Sequence, residues 1–131
     1  MKYRKLGDTN LNVSLICLGT MSFGEQNTEK DAHEQLTFAL DHGVNFIDTA
    51  EMYAIPPKES TQGLTEKYIG SWVKKNLSRD KYIIATKVAG PGMEYIRGGT
   101  NLSKEHVTQA IDASLKTVSY THLTLPTNRE V

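Results

Sequence analysis

The sequence has a single cysteine, Cys17, so no disulfide can form within the chain. That suits a reducing compartment, and the cytoplasm is the expected location. Apolar runs never extend beyond a few residues, which leaves nothing able to cross a bilayer as a helix. The opening "MKYRKLGDTN" lacks the apolar stretch of a secretory signal. No charge of either sign is in excess, since 15 Lys+Arg balance 15 Asp+Glu. Neither nucleic acid nor a membrane surface is therefore an expected partner. The histidines at 33, 42, 106 and 122 are scattered, without acids or cysteines at metal-ligand spacing. No metal is expected, and these histidines read as solvated or helix-end residues. "AGPG" and "RGGT" lack the spacing of a phosphate-binding glycine loop. Cys17, inside an apolar run, reads as a small core residue rather than a nucleophile.

What is present is a rhythm. Three continuous apolar runs, "LICLG" (15–19), "VNFID" (44–48) and "YIIATKV" (82–88), have the pattern of parallel strands covered on both faces. Helical periods separate them. Ala32, Leu36, Ala39 and Leu40 share a face, with Thr28 and Asp31 as an N-terminal capping pair and His42–Gly43 as the close. Leu64, Tyr68, Ile69, Trp72 and Val73 form a second stripe, on which Tyr68 and Trp72 read as packing residues. Val107, Ala110, Ile111, Ser114 and Leu115 form a third, capped by Ser103. The order predicts a βαβ series with a parallel sheet. Ahead of it, "YRKLGDTNLNVS" reads as a hairpin around Gly7, Asp8 and Asn10. The loops after the second and third strands are long, and Pro56–Pro57 delays the helix in the first of them. Such loops carry the sites of α/β proteins.

Asp48 ends the second strand, and Lys87 lies at the end of the third. Parallel neighbours run about 4.8 Å apart, so the two side chains can meet at one rim, with Tyr53 in the loop above. An ammonium beside a phenol favours its ionised form, and a carboxylate holds the ammonium in place. A tyrosine in that setting can protonate a carbonyl oxygen. Singly, the three have ordinary explanations: a helix-cap Asp, a loop Tyr, a strand-end Lys. Their common rim makes them candidate catalytic residues.

"LGTMSFGEQ" (18–26), "GVNFIDTAEMY" (43–53), "STQGLTEKYIG" (60–70) and "IIATKV" (83–88) together resemble the opening of the aldo-keto reductases, most closely their bacterial Tas-type, NADP(H)-dependent branch. The resemblance implies an α/β fold that is the N-terminal part of a (β/α)8 TIM barrel, with the hairpin closing its bottom and the site at the C-terminal rim. It implies NADP(H) as cofactor, a small-molecule carbonyl substrate, and a catalytic set in which Tyr53 is the general acid, Lys87 tunes it and Asp48 holds Lys87. Gly19, Thr20 and Met21, together with Asp48, match the segment meeting the nicotinamide. The implied reaction is reduction of an aldehyde or ketone to an alcohol. The other reading is a non-catalytic binding or regulatory subunit on the same barrel.

Residues 1–116 follow the family, and 117–131 are expected to be a non-native tail, with a divergent fourth strand in "THLTL" as the alternative. The family's fourth catalytic residue, a histidine, is expected at position 129, where the chain has Arg129; His122 falls too early. Barrels of this kind run to about 250 residues or more. The chain is therefore expected to be an incomplete barrel, inactive by itself.

Overall fold

Two short antiparallel strands, β1 (Tyr3–Lys5) and β2 (Asn12–Ser14), open the chain in the computed structural model, which describes residues 1–75 and 79–118. Thr9 closes their turn, its hydroxyl donating to the Leu6 carbonyl at 2.6 Å. There follow β3 (Cys17–Gly19), α1 (Glu29–Asp41), β4 (Phe46–Asp48), α2 (Leu64–Lys75), a single 3-10 turn (Arg79–Lys81), β5 (Ile83–Ala85) and α3 (Lys104–Thr117). The sheet is β3-β4-β5, parallel throughout, so the expected βαβ series is present. None of these helices is long and apolar enough to cross a membrane.

Helices α1 and α3 start where their capping residues place them. Thr28 accepts the Asp31 backbone N–H while the Asp31 carboxylate accepts the Thr28 N–H, so each satisfies an amide that the helix start leaves open. Ser103 caps α3 by accepting the His106 N–H. Gly43, at φ +84°, turns the chain out of α1, a left-handed conformation that an L side chain resists.

In the sheet, Leu18, Ile47 and Ile84 are register partners, and all three pack among the residues of the helices. Phe23, Leu36, Ile69, Trp72, Val73, Tyr82 and Val118 complete that core. Burying a side chain of this size stabilises the fold by about 1.5–3 kcal/mol. The Trp72 indole keeps a polar partner as well, donating to Thr37 Oγ1 at 2.9 Å.

The strands are shorter than the apolar runs, and among the described residues the helices cover one sheet face. Leu15 and Ile16 are 55% and 58% exposed. Cys17 is exposed too, which corrects the expectation of a core cysteine. The physical reason is position: residues 17, 46 and 83 lie in one register row on the face away from the helices, where no described element packs. Thr117 and Val118 are the last turn of α3 and its cap, and Val118 is buried; the rest of the expected tail, "THLTL" included, lies outside the described residues.

The hairpin docks at the N-terminal end of the parallel strands. Asn45 accepts the Ser14 N–H at 2.7 Å and donates to the Asn12 carbonyl at 2.9 Å. Tyr3 donates to the Gly43 carbonyl at 2.8 Å. The opposite, C-terminal end stays open for the long loops.

Helices α2 and α3 approach at Gly70, where an added Cβ would stand 2.0 Å from the Thr117 carbonyl oxygen. Gly70→Ala gains about 1 kcal/mol of helix propensity, but overpacking costs about 1–3 kcal/mol, and a rigid backbone atom gives the upper end. A net loss of about 1–2 kcal/mol is expected in denaturant unfolding. A stabilised variant would mean that α3 sits farther from α2 than described.

Candidate active site

Gly19, Asp48 and Ala85 form the last register row of the sheet. The ladder runs on past it by backbone hydrogen bonds, from Thr49 N–H to the Ala85 carbonyl at 2.8 Å and from Glu51 N–H to the Lys87 carbonyl at 3.0 Å. Extended backbone alternates its side chains, so Lys87 projects on the same face as Ala85 and Asp48. Its Nζ donates to Asp48 Oδ1 at 2.5 Å and to the Thr49 carbonyl at 2.7 Å. The same ammonium lies 5.0 Å from the centroid of the Tyr53 ring. Asp48, Tyr53 and Lys87, placed on one rim by the sequence, are thus brought together.

The Lys87 and Asp48 side chains are 48% and 37% exposed. An ion pair that open to water adds little stability. Its effect is orientation: the carboxylate and a backbone carbonyl hold the ammonium beside the phenol ring.

Tyr53 sits in a loop, yet its backbone is tied at both ends. Its N–H donates to the Ala50 carbonyl at 3.1 Å, and its carbonyl accepts the Gly63 N–H at 2.9 Å. The segment after β3 supports this loop. Thr20 is fully buried, and its hydroxyl donates to the Asp48 carbonyl at 2.7 Å. The Met21 carbonyl accepts the Ile55 N–H at 2.8 Å, while the Met21 side chain is exposed. Above Gly19, the space a Cβ would occupy is open, with no atom within 4 Å. A flat ring can therefore approach that backbone closely, next to Asp48, which fits the nicotinamide end of a dinucleotide.

Two buried acids were not singled out by the sequence. Glu51, 4% exposed, pairs with both terminal nitrogens of Arg97, and its Oε2 accepts the Ala89 N–H at 2.9 Å. Glu66, also 4% exposed, accepts hydroxyl hydrogens from Thr86 at 2.6 Å and from Ser114 at 3.1 Å. A signal did exist for Glu66: it shares the α2 stripe with Ile69 and Val73, an acid where an apolar residue belongs. For Glu51 there was none, because Arg97 lies in a distant loop.

The histidines also differ in part from expectation. His33 Nε2 sits 3.0 Å from the Tyr68 carbonyl and 2.8 Å from Ser71 Oγ, bridging α1 and α2. His42 caps α1 at the helix end, stacked on Phe38. His106 lies in the first turn of α3, and His122 and Arg129 lie outside the described residues. Among the described residues no cluster of His, Cys, Asp and Glu fits a metal ion.

The sequence profile of the Aldo/keto reductase family matches residues 15–125. The chain belongs to that family. Protein tas of Escherichia coli (strain K12) is 47% identical over 128 residues, covering 95% of this chain and 37% of that protein. The uncharacterized oxidoreductase YrpG of Bacillus subtilis (strain 168) is 39% identical over 132 residues, with 95% and 39% covered. A solved structure described as an aldo-keto reductase from Pseudomonas aeruginosa superposes with a TM-score of 0.73 at 30% identity, over 92% of this chain and 43% of that one. The chain thus spans well under half the length of these relatives. Its described elements are the hairpin and first three βα units of the aldo/keto reductase TIM barrel.

Burial raises the Glu66 pKa above its ordinary 4.5, and the nearby Glu51 adds to the rise, against the lowering by the two hydroxyls. The folded chain then binds this proton more tightly than the unfolded chain. Stability from this group is greatest below the unfolded value, falls as pH rises through the folded value, and stays lower above it. Glu66→Gln removes that decline. Thermal melts across about pH 4–8 are expected to show the variant gaining on the parent as pH rises. A gap independent of pH would contradict the burial effect.

Proposed function

We propose that this chain supplies the N-terminal part of an NADP(H)-dependent aldo-keto reductase that reduces aldehydes or ketones to alcohols. The observation that carries the proposal is the Lys87 ammonium held by Asp48 beside the Tyr53 ring, on the face where Gly19 leaves open space. Bound NADPH supplies the hydride. The chain's own residues handle the proton. Tyr53 gives its hydroxyl hydrogen to the carbonyl oxygen as negative charge develops there. Lys87, a cation fixed nearby, stabilises the charge left on the Tyr53 oxygen. Asp48 and the Thr49 carbonyl keep Lys87 from swinging away into water.

Gly19 and Met21 would border the nicotinamide, Gly19 through its open backbone and Met21 through its exposed side chain. Thr20 would act from behind, by fixing the carbonyl of Asp48. The substrate is a small carbonyl compound, with no role for nucleic acid or membrane, and we place the protein in the cytoplasm. Three βα units provide one side of the rim. Turnover then requires the complete barrel.

Steady-state oxidation of NADPH with an aldehyde tests the reading in the full-length protein. Tyr53→Phe removes only the hydroxyl and is expected to cut turnover about 100- to 10,000-fold, with folding and cofactor affinity nearly unchanged. Lys87→Met is expected to act on the same step, so that the double variant loses far less than the product of the two. Near-parental turnover in Tyr53→Phe would end the assignment.

A further inference from the structure

The reading above uses Asp48, Tyr53 and Lys87 and leaves aside the buried pair Glu51–Arg97. We propose that this pair is a positioning device for Lys87: it locks the backbone at the lysine and just after it, and so sets where its ammonium stands. The proposal rests on the catalytic reading of Lys87.

Contacts from both loops converge on Glu51. Its N–H donates to the Lys87 carbonyl at 3.0 Å. Its carboxylate accepts the Ala89 N–H at 2.9 Å. One residue therefore grips the chain at position 87 with its backbone and at position 89 with its side chain, just where β5 has ended at Ala85 and the ladder gives way to loop. The carboxylate is almost wholly buried, and its counter-charge comes from Arg97 through both terminal nitrogens. A bidentate guanidinium fixes direction as well as charge.

Arg97 itself is held in an unusual way. It has φ +54°, a left-handed conformation rare outside glycine, and Gly98 and Gly99 follow it with positive φ as well. Such a conformation persists only where surrounding contacts over-determine it. Ile96, next to it, is buried, and Thr100 bonds across to the Gly90 carbonyl and accepts the Met93 N–H, so the loop returns on itself. The loop after β5 is thus anchored through Arg97 to the loop after β4, and Lys87 lies at the root of the anchored segment. Without the anchor, the Lys87 side chain keeps only the contacts at its exposed tip.

The test is a set of rates in the full-length protein. Arg97→Met leaves the Glu51 carboxylate buried without its cation, so the grip on residues 87–89 should loosen. A displacement of about 1 Å at a catalytic group costs up to about 100-fold in rate. Arg97→Met is expected to lower kcat about 10- to 100-fold with KM for NADPH nearly unchanged. The effect is expected to vanish when Lys87→Met is already present, because the device then has nothing to position. Glu51→Gln combined with Arg97→Met needs no counter-charge and still accepts the Ala89 N–H, so it is expected to recover part of the lost rate. If Arg97→Met alone is not recovered folded, that double variant carries the same comparison with and without Lys87→Met. Equal losses in both backgrounds, or no loss in either, would overturn the proposal. Failure of the catalytic reading itself shows separately, as turnover surviving in Tyr53→Phe.

Discussion

The row in which Gly19, Asp48 and Ala85 lie side by side across three parallel strands is the constraint from which the rim follows. One residue earlier, Leu18, Ile47 and Ile84 form the row that faces the helices, and burial of that row fixes the register. A slip of one position in any strand would turn its apolar residue out of the core. It would also carry Asp48 or Lys87 to the wrong face. The helix-side packing that stabilises the fold is therefore also what places the two charges together on the opposite side. Backbone bonds beyond the strands, at Thr49 and Glu51, carry the same alternation two steps further to Lys87.

The charges divide into two kinds by exposure. Lys87 and Asp48 are open enough to water that their pairing contributes little to stability. A group in that state is free to interact with a ligand at small cost to the fold. Glu51 and Glu66 are the reverse, each buried and each answered by several donors. Burying a carboxylate costs heavily unless its partners are well placed, and removing one partner exposes the full cost. Glu66 ties α2 to α3 and to the residue after β5, and Glu51 ties the two long loops together. The buried acids thus connect elements, while the exposed pair stands on the surface those elements build.

What could be read from the sequence was what local rules decide. Thr28, Asp31 and Ser103 cap their helices because capping needs only residues a turn apart. The stripes of α1 and α2 were legible because period 3.6 is local, and Asp48 and Lys87 because each stands at the edge of an apolar run. The hairpin followed from its turn residues. Strand lengths were not legible: an apolar run shows which residues avoid water but not where ladder pairing stops. Nor was the exposure of Cys17, since a continuous apolar run does not say whether a second layer covers the other face. Glu51 and Arg97 stayed hidden because no periodicity links two loops, and the His33 bridge because it joins two helices through a ring that either could have turned outward.

Tyr53 stands apart from its partners in how it is held. Asp48 ends a strand and Lys87 extends a ladder, so regular pairing fixes both backbones. Tyr53 has no ladder, and its loop depends on the Ala50, Gly63 and Met21–Ile55 backbone bonds. Lys58, farther along the same loop, pairs with Glu25 in the segment after β3. The Tyr53 backbone is thus held by loop contacts, and the Lys87 ammonium by Asp48 and Thr49 at the end of β4. A proton donor must stand within hydrogen-bond reach of its acceptor, so the role proposed for Tyr53 depends on these loop contacts. On the proposed reading the proton donor is the residue with the least regular support, and the backbone bonds at Ala50, Gly63 and Met21–Ile55 supply what the sheet does not.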